Sequence, residues 1–283
     1  MIRFNVFSIT WRRFFVLIST ALLFGGGIWI LNHTPALQGY WNQFYTEADM
    51  GKVFCEKTNM DHFIRQPLNT LSNFIYWLTA VVILNRGWKD RTKKTRYNII
   101  SANPFYSLTL GGIMLYIFCS SVFFHSSLIH FASELDYSAV YSLSLFPLMY
   151  YTHRVLLLRL GIPSNQKHAF STRTLVVIFS IAYLLLTFFM KQGIRHYVVL
   201  GIIATIFVFG IIVERYDRGK TNHYYLVTCI LSILFAVMWF GFDNHKVLCD
   251  PDSLIQPHSL WHLFSGISTF YFYMYIRSEK NKI

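Results

Sequence analysis

The residues 258-HSLWHLFSGISTFYFYMYI-276 decide the fold of this chain. They contain no Asp, Glu, Lys or Arg, and their number is close to the ~20 residues with which a helix crosses a bilayer. Seven other apolar stretches of similar length precede them, near residues 14–31, 68–85, 105–126, 135–152, 174–190, 197–213 and 224–241. The sequence therefore predicts eight membrane-spanning helices.

The composition agrees with this prediction. Of 283 residues, 54% are apolar and 13% are charged, whereas a soluble globular domain carries roughly 25% charged residues. An ordinary water-soluble enzyme and a disordered protein are excluded. The net charge of +12 would suggest a nucleic-acid partner in a soluble protein, but here the basic residues lie between apolar stretches. They indicate a positively charged membrane face and no nucleic-acid partner.

The distribution of basic residues predicts the orientation. Most Lys and Arg residues lie before the first stretch, after the last, and in every second loop between them. The positive-inside rule then places both termini in the cytoplasm. Because the first stretch is long for a signal peptide and lacks a clear cleavage site, we expect an uncleaved helix, with a signal peptide as the alternative.

We accordingly predict an all-α membrane protein, a seven-helix transmembrane bundle with one additional N-terminal transmembrane helix. Residues 1–49 would form the added helix and an outer linker, and residues 50–283 the seven-span domain. In this topology Cys55 and Cys249 both lie in outer loops, so they are candidates for a disulfide in an oxidising compartment. Cys119 and Cys229 fall within apolar stretches and are expected to be free thiols.

Polar residues cluster at the outer ends of three predicted spans. His258 and His262 are four residues apart and share one helix face, a spacing that can place two imidazoles on one zinc ion. Alone, such a pair is as easily explained by histidines at a membrane interface. The predicted directions of the spans bring His125 and Asp136 to the same depth, which favours a shared site.

Three histidines with water in the fourth position form a known catalytic zinc arrangement. In this hypothesis Asp136 accepts or orients the proton of the water. Ser121 lies one helical turn before His125, where its hydroxyl can bind a substrate carbonyl or oxyanion. The second span carries a stripe of polar residues at the helical period: Asn69, Ser72, Asn73 and Tyr76. This stripe serves either hydrogen bonding between helices or contact with a substrate.

Taken together, the three motifs resemble those of the alkaline ceramidases, which share a larger group with adiponectin-type receptors and the lipases that remodel glycosylphosphatidylinositol anchors. The resemblance covers residues 53 to 276 and rests on Cys55-Glu56, Asn69-Thr-Leu-Ser72-Asn73, Ser121-x-x-x-His125 with Asp136, and His258-x-x-x-His262. It implies a membrane-embedded zinc enzyme that hydrolyses the amide bond of ceramide. It also implies that His125, His258 and His262 bind the zinc, with Ser121 and Asp136 completing the catalytic site.

The resemblance fails at the calcium site of that family. Val53, Thr58 and Gln66 stand where the family pattern has Asp, Asn and Glu, and only Glu56 is retained. Because calcium prefers several oxygen ligands that include carboxylates, the sequence predicts a protein that does not depend on calcium.

Two other functions fit the sequence. The same zinc chemistry would cleave an ester of a phospholipid or anchor lipid. A receptor or transporter with a structural zinc is the third interpretation, but structural zinc sites usually have four protein ligands, and only three histidines are found. The expected partner is a membrane lipid, and the sequence favours no particular oligomeric state.

Overall fold

The computed structural model describes residues 11–45, 54–92, 98–162, 169–189, 192–216 and 221–279. Within these ranges the chain is helical and has no strands. The α-helices, numbered α1 to α10, are Trp11–Asn32, Pro67–Ser72, Phe74–Thr92, Ile99–Ala102, Phe105–Ser127, His130–Arg159, Ala169–Phe189, Gln192–Tyr216, His223–Asn244 and Pro257–Ser278. The predicted all-α class is confirmed, and each predicted apolar stretch overlaps a long helix or, for the second, the pair α2 and α3.

Among the described residues, four segments are long and apolar enough to cross a membrane: Phe15–Asn32, Pro67–Thr92, Phe105–Ser127 and His223–Asn244. Helices α6 and α10 carry more polar residues, many of them buried against other helices. The arrangement of seven spans plus one therefore stays a prediction. Several basic loops on which the predicted orientation rests lie outside the described residues, at 93–97, 163–168, 217–220 and 280–283.

Helix α10 is at the centre of the packing. It contacts α9, α3 and the short α2, while α3 packs against α5, α5 against α6, and α6 against both α7 and α8. The approach of α10 to α3 is close: a Cβ added at Gly266 would lie 2.8 Å from the Ile75 side chain. A glycine at this position therefore allows α10 to approach α3 closely.

Buried ion pairs join the helices at the end of the bundle where α10 finishes. Arg277 binds both oxygens of Asp90 at 2.5 and 2.9 Å, and Arg154 lies 2.6 Å from Glu279. The Asn98 side chain donates to the backbone carbonyls of Arg277 and Glu279. Each buried charge is thus paired, which burial in an apolar interior requires.

Two links tie the other end together. A disulfide joins Cys55 to Cys249, as predicted, and connects the segment before α2 with the loop before α10. The Asn32 side chain, at the end of α1, exchanges two hydrogen bonds with the backbone of Ile64. The segment between residues 54 and 66, which we call the outer segment, is therefore fixed to both α1 and the α9–α10 loop.

Candidate active site

Three buried histidines from two helices converge at this end of the bundle. His125 lies in the last turn of α5, whereas His258 and His262 lie in the first two turns of α10. One ring nitrogen of each lies within 4.8 Å of the others, and the ring centroids are 4.7 to 5.0 Å apart. Among the described residues, they form the group of His, Cys, Asp and Glu side chains at a spacing that could hold a metal ion.

Each histidine has its Nδ1 atom next to a polar side chain from a different element. The Nδ1 of His125 is 2.8 Å from Oε1 of Gln66, and the Nδ1 of His262 is 2.8 Å from Oγ of Ser72. The Nδ1 of His258 is 3.5 Å from Oδ2 of Asp243, an ion-pair contact without hydrogen-bond geometry.

These partners determine which nitrogen carries the proton. An amide oxygen accepts hydrogen bonds, so Gln66 requires N–H at Nδ1 of His125, and the nearby carboxylate of Asp243 favours N–H at Nδ1 of His258. The Ser72 hydroxyl donates its own hydrogen to the carbonyl of Asn69 at 2.7 Å, so it too accepts from His262. With hydrogen at Nδ1, each Nε2 atom carries a lone pair that can bind an ion.

A metal ion fits this donor set. The Nε2 atom of His125 is buried and has no hydrogen-bond partner, a costly arrangement for a polar atom unless a ligand completes it. Neutral imidazoles held by a hydrogen bond at the other nitrogen are typical zinc ligands. Three such ligands leave one position of a tetrahedral ion open.

The aromatic ring of Phe54, in the outer segment, packs against two of the histidines. The ring of Phe54 is centred 4.4 Å from that of His258 and 5.0 Å from that of His125. The adjacent Cys55 is held by its disulfide. The three histidines are buried, and electrostatic interactions are stronger in a buried environment than in water.

Ser121 and Asp136 are not among the residues of the three-histidine group. Ser121 is buried on α5, one turn before His125. Asp136 is partly buried near the start of α6, and it interacts electrostatically with the hydroxyl of Tyr76. The ring of Tyr76 is in turn centred 5.8 Å from that of His262. Ser121 therefore lies on the same helix as His125, and Asp136 lies on the helix that packs against it.

The polar stripe of α2 and α3 faces α10. Ser72 contacts His262, the Tyr76 hydroxyl is 2.6 Å from that of Ser265, and Asn69 accepts from Ser259 at 2.9 Å. Of the two interpretations of this stripe, these contacts favour hydrogen bonding between helices. Through Ser72 the stripe also orients one of the histidines.

The described residues at the positions of the family's calcium site make hydrogen bonds within the protein. The two carboxylate oxygens of Glu56 accept from the backbone N–H groups of Leu68 and Asn69, at 2.7 and 2.8 Å. Burial raises the pKa of Glu56 to about 7, although these two hydrogen bonds lower it. Thr58 accepts from the side chain of Gln66 at 3.3 Å. Val53 lies outside the described residues.

Sequence reasoning missed Asp243 and Phe54 and recognised Gln66 only as a departure from the calcium pattern. Asp243 falls just after the predicted span 224–241, and it is buried beside His258. An acidic residue at the end of an apolar stretch is a signal that could have identified it. Phe54 carries no such signal in a sequence with 27 phenylalanines.

Comparison with known proteins identifies the family. A protein-family model described as Ceramidase matches residues 52–281, which include the outer segment, the three histidines, Ser121 and Asp136. A search of curated proteins finds no match. Since the matched region covers most of the 283 residues, the chain belongs to the ceramidase family.

Proposed function

We propose that this protein is a zinc-dependent hydrolase of the membrane that cleaves the amide bond of ceramide-type lipids, releasing a sphingoid base and a fatty acid. Membership of the ceramidase family implies hydrolase activity on ceramide. The observation that carries the zinc dependence is the convergence of three buried imidazoles, one of which has an Nε2 atom without a partner.

His125, His258 and His262 would hold the ion through their Nε2 atoms. When bound, zinc supplies a Lewis acid that polarises a carbonyl and lowers the pKa of water toward 7. Ser72 and Asp243 lie next to the Nδ1 atoms of His262 and His258, where polar partners commonly orient zinc-binding imidazoles.

Asp136 and Ser121 are assigned to the chemical step. Asp136 takes a proton from the attacking water through a carboxylate oxygen, while the water oxygen bonds to the amide carbon. The Ser121 hydroxyl donates a hydrogen bond to the carbonyl oxygen as negative charge develops on it. When the carbon–nitrogen bond breaks, Asp136 gives the proton to the leaving nitrogen, which departs as the amine of the sphingoid base.

The surface of the protein suits a substrate that arrives from the bilayer. Large apolar side chains are exposed along α8 and α9, among them Phe207, Ile211, Leu234 and Val237. We infer a hydrolase domain over residues 50–283, preceded by a transmembrane helix and linker over residues 1–49. With both termini in the cytoplasm, as the positive-inside rule favours, the histidines lie toward the outer or lumenal side.

Metal analysis combined with a lipid panel tests this function. The purified wild type should contain one zinc per chain and release fatty acid from ceramides, detected by mass spectrometry. His262→Ala should lose both, whereas His153→Asn should retain the zinc, because His153 is a buried histidine that pairs with Tyr106 away from the three ligands. Release of fatty acid only from phospholipid or anchor-lipid esters would instead favour the ester hydrolase. Stoichiometric zinc without any hydrolysis would favour a receptor or transporter.

A further inference from the structure

We infer that Gln66 is a positioning residue for the metal site: its side-chain amide holds His125 in the orientation and tautomer that metal binding requires. The amide oxygen of Gln66 lies 2.8 Å from Nδ1 of His125, and both side chains are fully buried. This inference rests on the proposed function, because it assigns a role toward the ion that the three histidines would hold.

The backbone fixes the two residues in register. The N–H of Gln66 donates to the carbonyl of His125 at 3.1 Å, and the N–H of Arg65 donates to the carbonyl of Ser126 at 3.1 Å. The guanidinium of Arg65 also donates to the carbonyl of Ser127 at 2.8 Å. These carbonyls belong to the last turn of α5, where the carbonyl groups have no hydrogen-bond donors within the helix. The outer segment therefore completes the end of α5 and delivers Gln66 to the histidine ring.

The other contacts of the Gln66 side chain determine which way its amide points. Its nitrogen donates to the hydroxyl of Thr58 at 3.3 Å, and its oxygen accepts a second hydrogen bond from the side chain of Asn69 at 3.3 Å. With the nitrogen directed to Thr58, the oxygen is directed to His125. The amide thus offers the ring an acceptor, and only the tautomer with hydrogen at Nδ1 satisfies it.

The position of this hydrogen determines what the other ring nitrogen of His125 can bind. A hydrogen at Nδ1 leaves the lone pair of Nε2 free, and Nε2 is the atom of His125 that is buried without a partner. Without Gln66, Nδ1 would lack an acceptor in a buried position, and the ring could rotate or adopt the other tautomer. Loss of such an orienting partner typically lowers metal affinity about 10- to 100-fold.

The test compares zinc affinities of variants in the full-length, detergent-purified protein. Gln66→Leu removes the acceptor, and Gln66→Glu retains an acceptor of similar size. Asn98→Leu is the matched control, because Asn98 is also a buried amide but bonds to backbone carbonyls at the far end of α10. Zinc dissociation constants come from competition with a chromogenic chelator at fixed pH, and zinc-free melting temperatures report any general loss of stability.

We expect Gln66→Leu to raise the zinc dissociation constant about 10- to 100-fold, and Gln66→Glu to bind zinc as tightly as the wild type or more tightly. Asn98→Leu should lower the melting temperature and leave the zinc affinity unchanged. If Gln66→Leu does not fold, Gln66→Asn replaces it, since the shorter side chain withdraws the amide from the ring and should weaken zinc binding in the same way.

The two possible failures are distinguishable. A wild type that binds no zinc overturns the proposed function and this inference with it. A wild type that binds zinc, together with a folded Gln66→Leu or Gln66→Asn whose zinc affinity is unchanged, overturns the inference alone. A Gln66→Glu variant that loses zinc as Gln66→Leu does would also contradict it, because the acceptor would then not be what matters.

Discussion

The backbone N–H of Cys55 donates a 2.7 Å hydrogen bond to Oδ1 of Asp243. The other oxygen of this buried carboxylate faces Nδ1 of His258 at 3.5 Å. One aspartate therefore joins the outer segment, which the disulfide holds, to a histidine of the candidate metal site.

Replacement of Asp243 by Asn should weaken zinc binding. The substitution retains the size of the side chain and removes the negative charge that favours hydrogen at Nδ1 of His258. We expect the zinc dissociation constant to rise about 10- to 100-fold, measured by chelator competition. Asp90→Asn is the control: this aspartate is also buried, but it binds Arg277 at the far end of α10, and its loss should leave zinc affinity unaltered. Equal zinc affinities in all three proteins would show that Asp243 does not support His258.

Ser121→Ala and Asp136→Asn should lower turnover without removing the metal. Loss of an oxyanion donor typically costs about 100- to 1,000-fold in rate, and loss of an acid–base partner about 100- to 10,000-fold. Ceramide hydrolysis and zinc content are measured on the same samples. Ser120→Ala provides the control, because this neighbouring buried serine bonds to the Ile117 carbonyl of its own helix. Wild-type turnover in both variants would contradict the assigned roles.

Glu56 should make the stability of the protein depend on pH. Burial raises the pKa of Glu56 from 4.5 to about 7, so the folded state holds this proton more tightly than the unfolded chain. The stabilisation that the protonated Glu56 provides is complete below the pKa of this group in the unfolded chain. It is lost as the pH rises through the pKa of Glu56 in the folded state. Relative to Glu56→Gln, the wild-type free energy of unfolding should fall by on the order of 3 kcal/mol over this window.

Unfolding of zinc-depleted protein between about pH 5 and pH 8 measures this difference without a contribution from metal binding. Asp61→Asn, which alters an exposed carboxylate of the same segment, should follow the wild type at every pH. A constant difference between wild type and Glu56→Gln across this range would mean that Glu56 is ionised in the folded state throughout.

Hydrolysis should persist in a calcium-selective chelator that spares zinc. Both oxygens of Glu56 are bonded to backbone N–H groups, and Thr58 and Gln66 are bonded to each other. Hydrogen bonds thus occupy these positions, and little negative charge is left to offset the cost of dehydrating a divalent ion. Activity that collapses in the chelator and returns with added calcium would show that another set of oxygens builds the site.

The sequence allowed much of the helical architecture to be predicted, because apolar stretches of spanning length are a strong signal. The approach of His125 to His258 and His262 also followed from the predicted directions of the spans, and the structure brings the three together. The pairing of Cys55 with Cys249 followed from the same topology and is confirmed.

The contacts that orient the histidines could not be predicted in this way. Gln66 reaches His125 because the outer segment folds back on the end of α5, and no periodicity in the sequence describes that path. The contact of Asp243 with His258 depends on the rotation of α9 about its axis, which hydropathy does not determine. The sequence indicates the depth of a residue along a predicted span, whereas the paths of loops and the rotations of helices are determined by packing.

The disulfide has a consequence for biosynthesis. Cys55 precedes α2 and Cys249 precedes α10, and 194 residues of sequence separate them. A ribosome that has made the outer segment must complete nearly the whole remaining chain before the partner thiol and the last two histidines exist. The three histidines can therefore hold a metal together only after most of the chain has been made. A product truncated before Cys249 would carry a lone His125 and an unpaired Cys55.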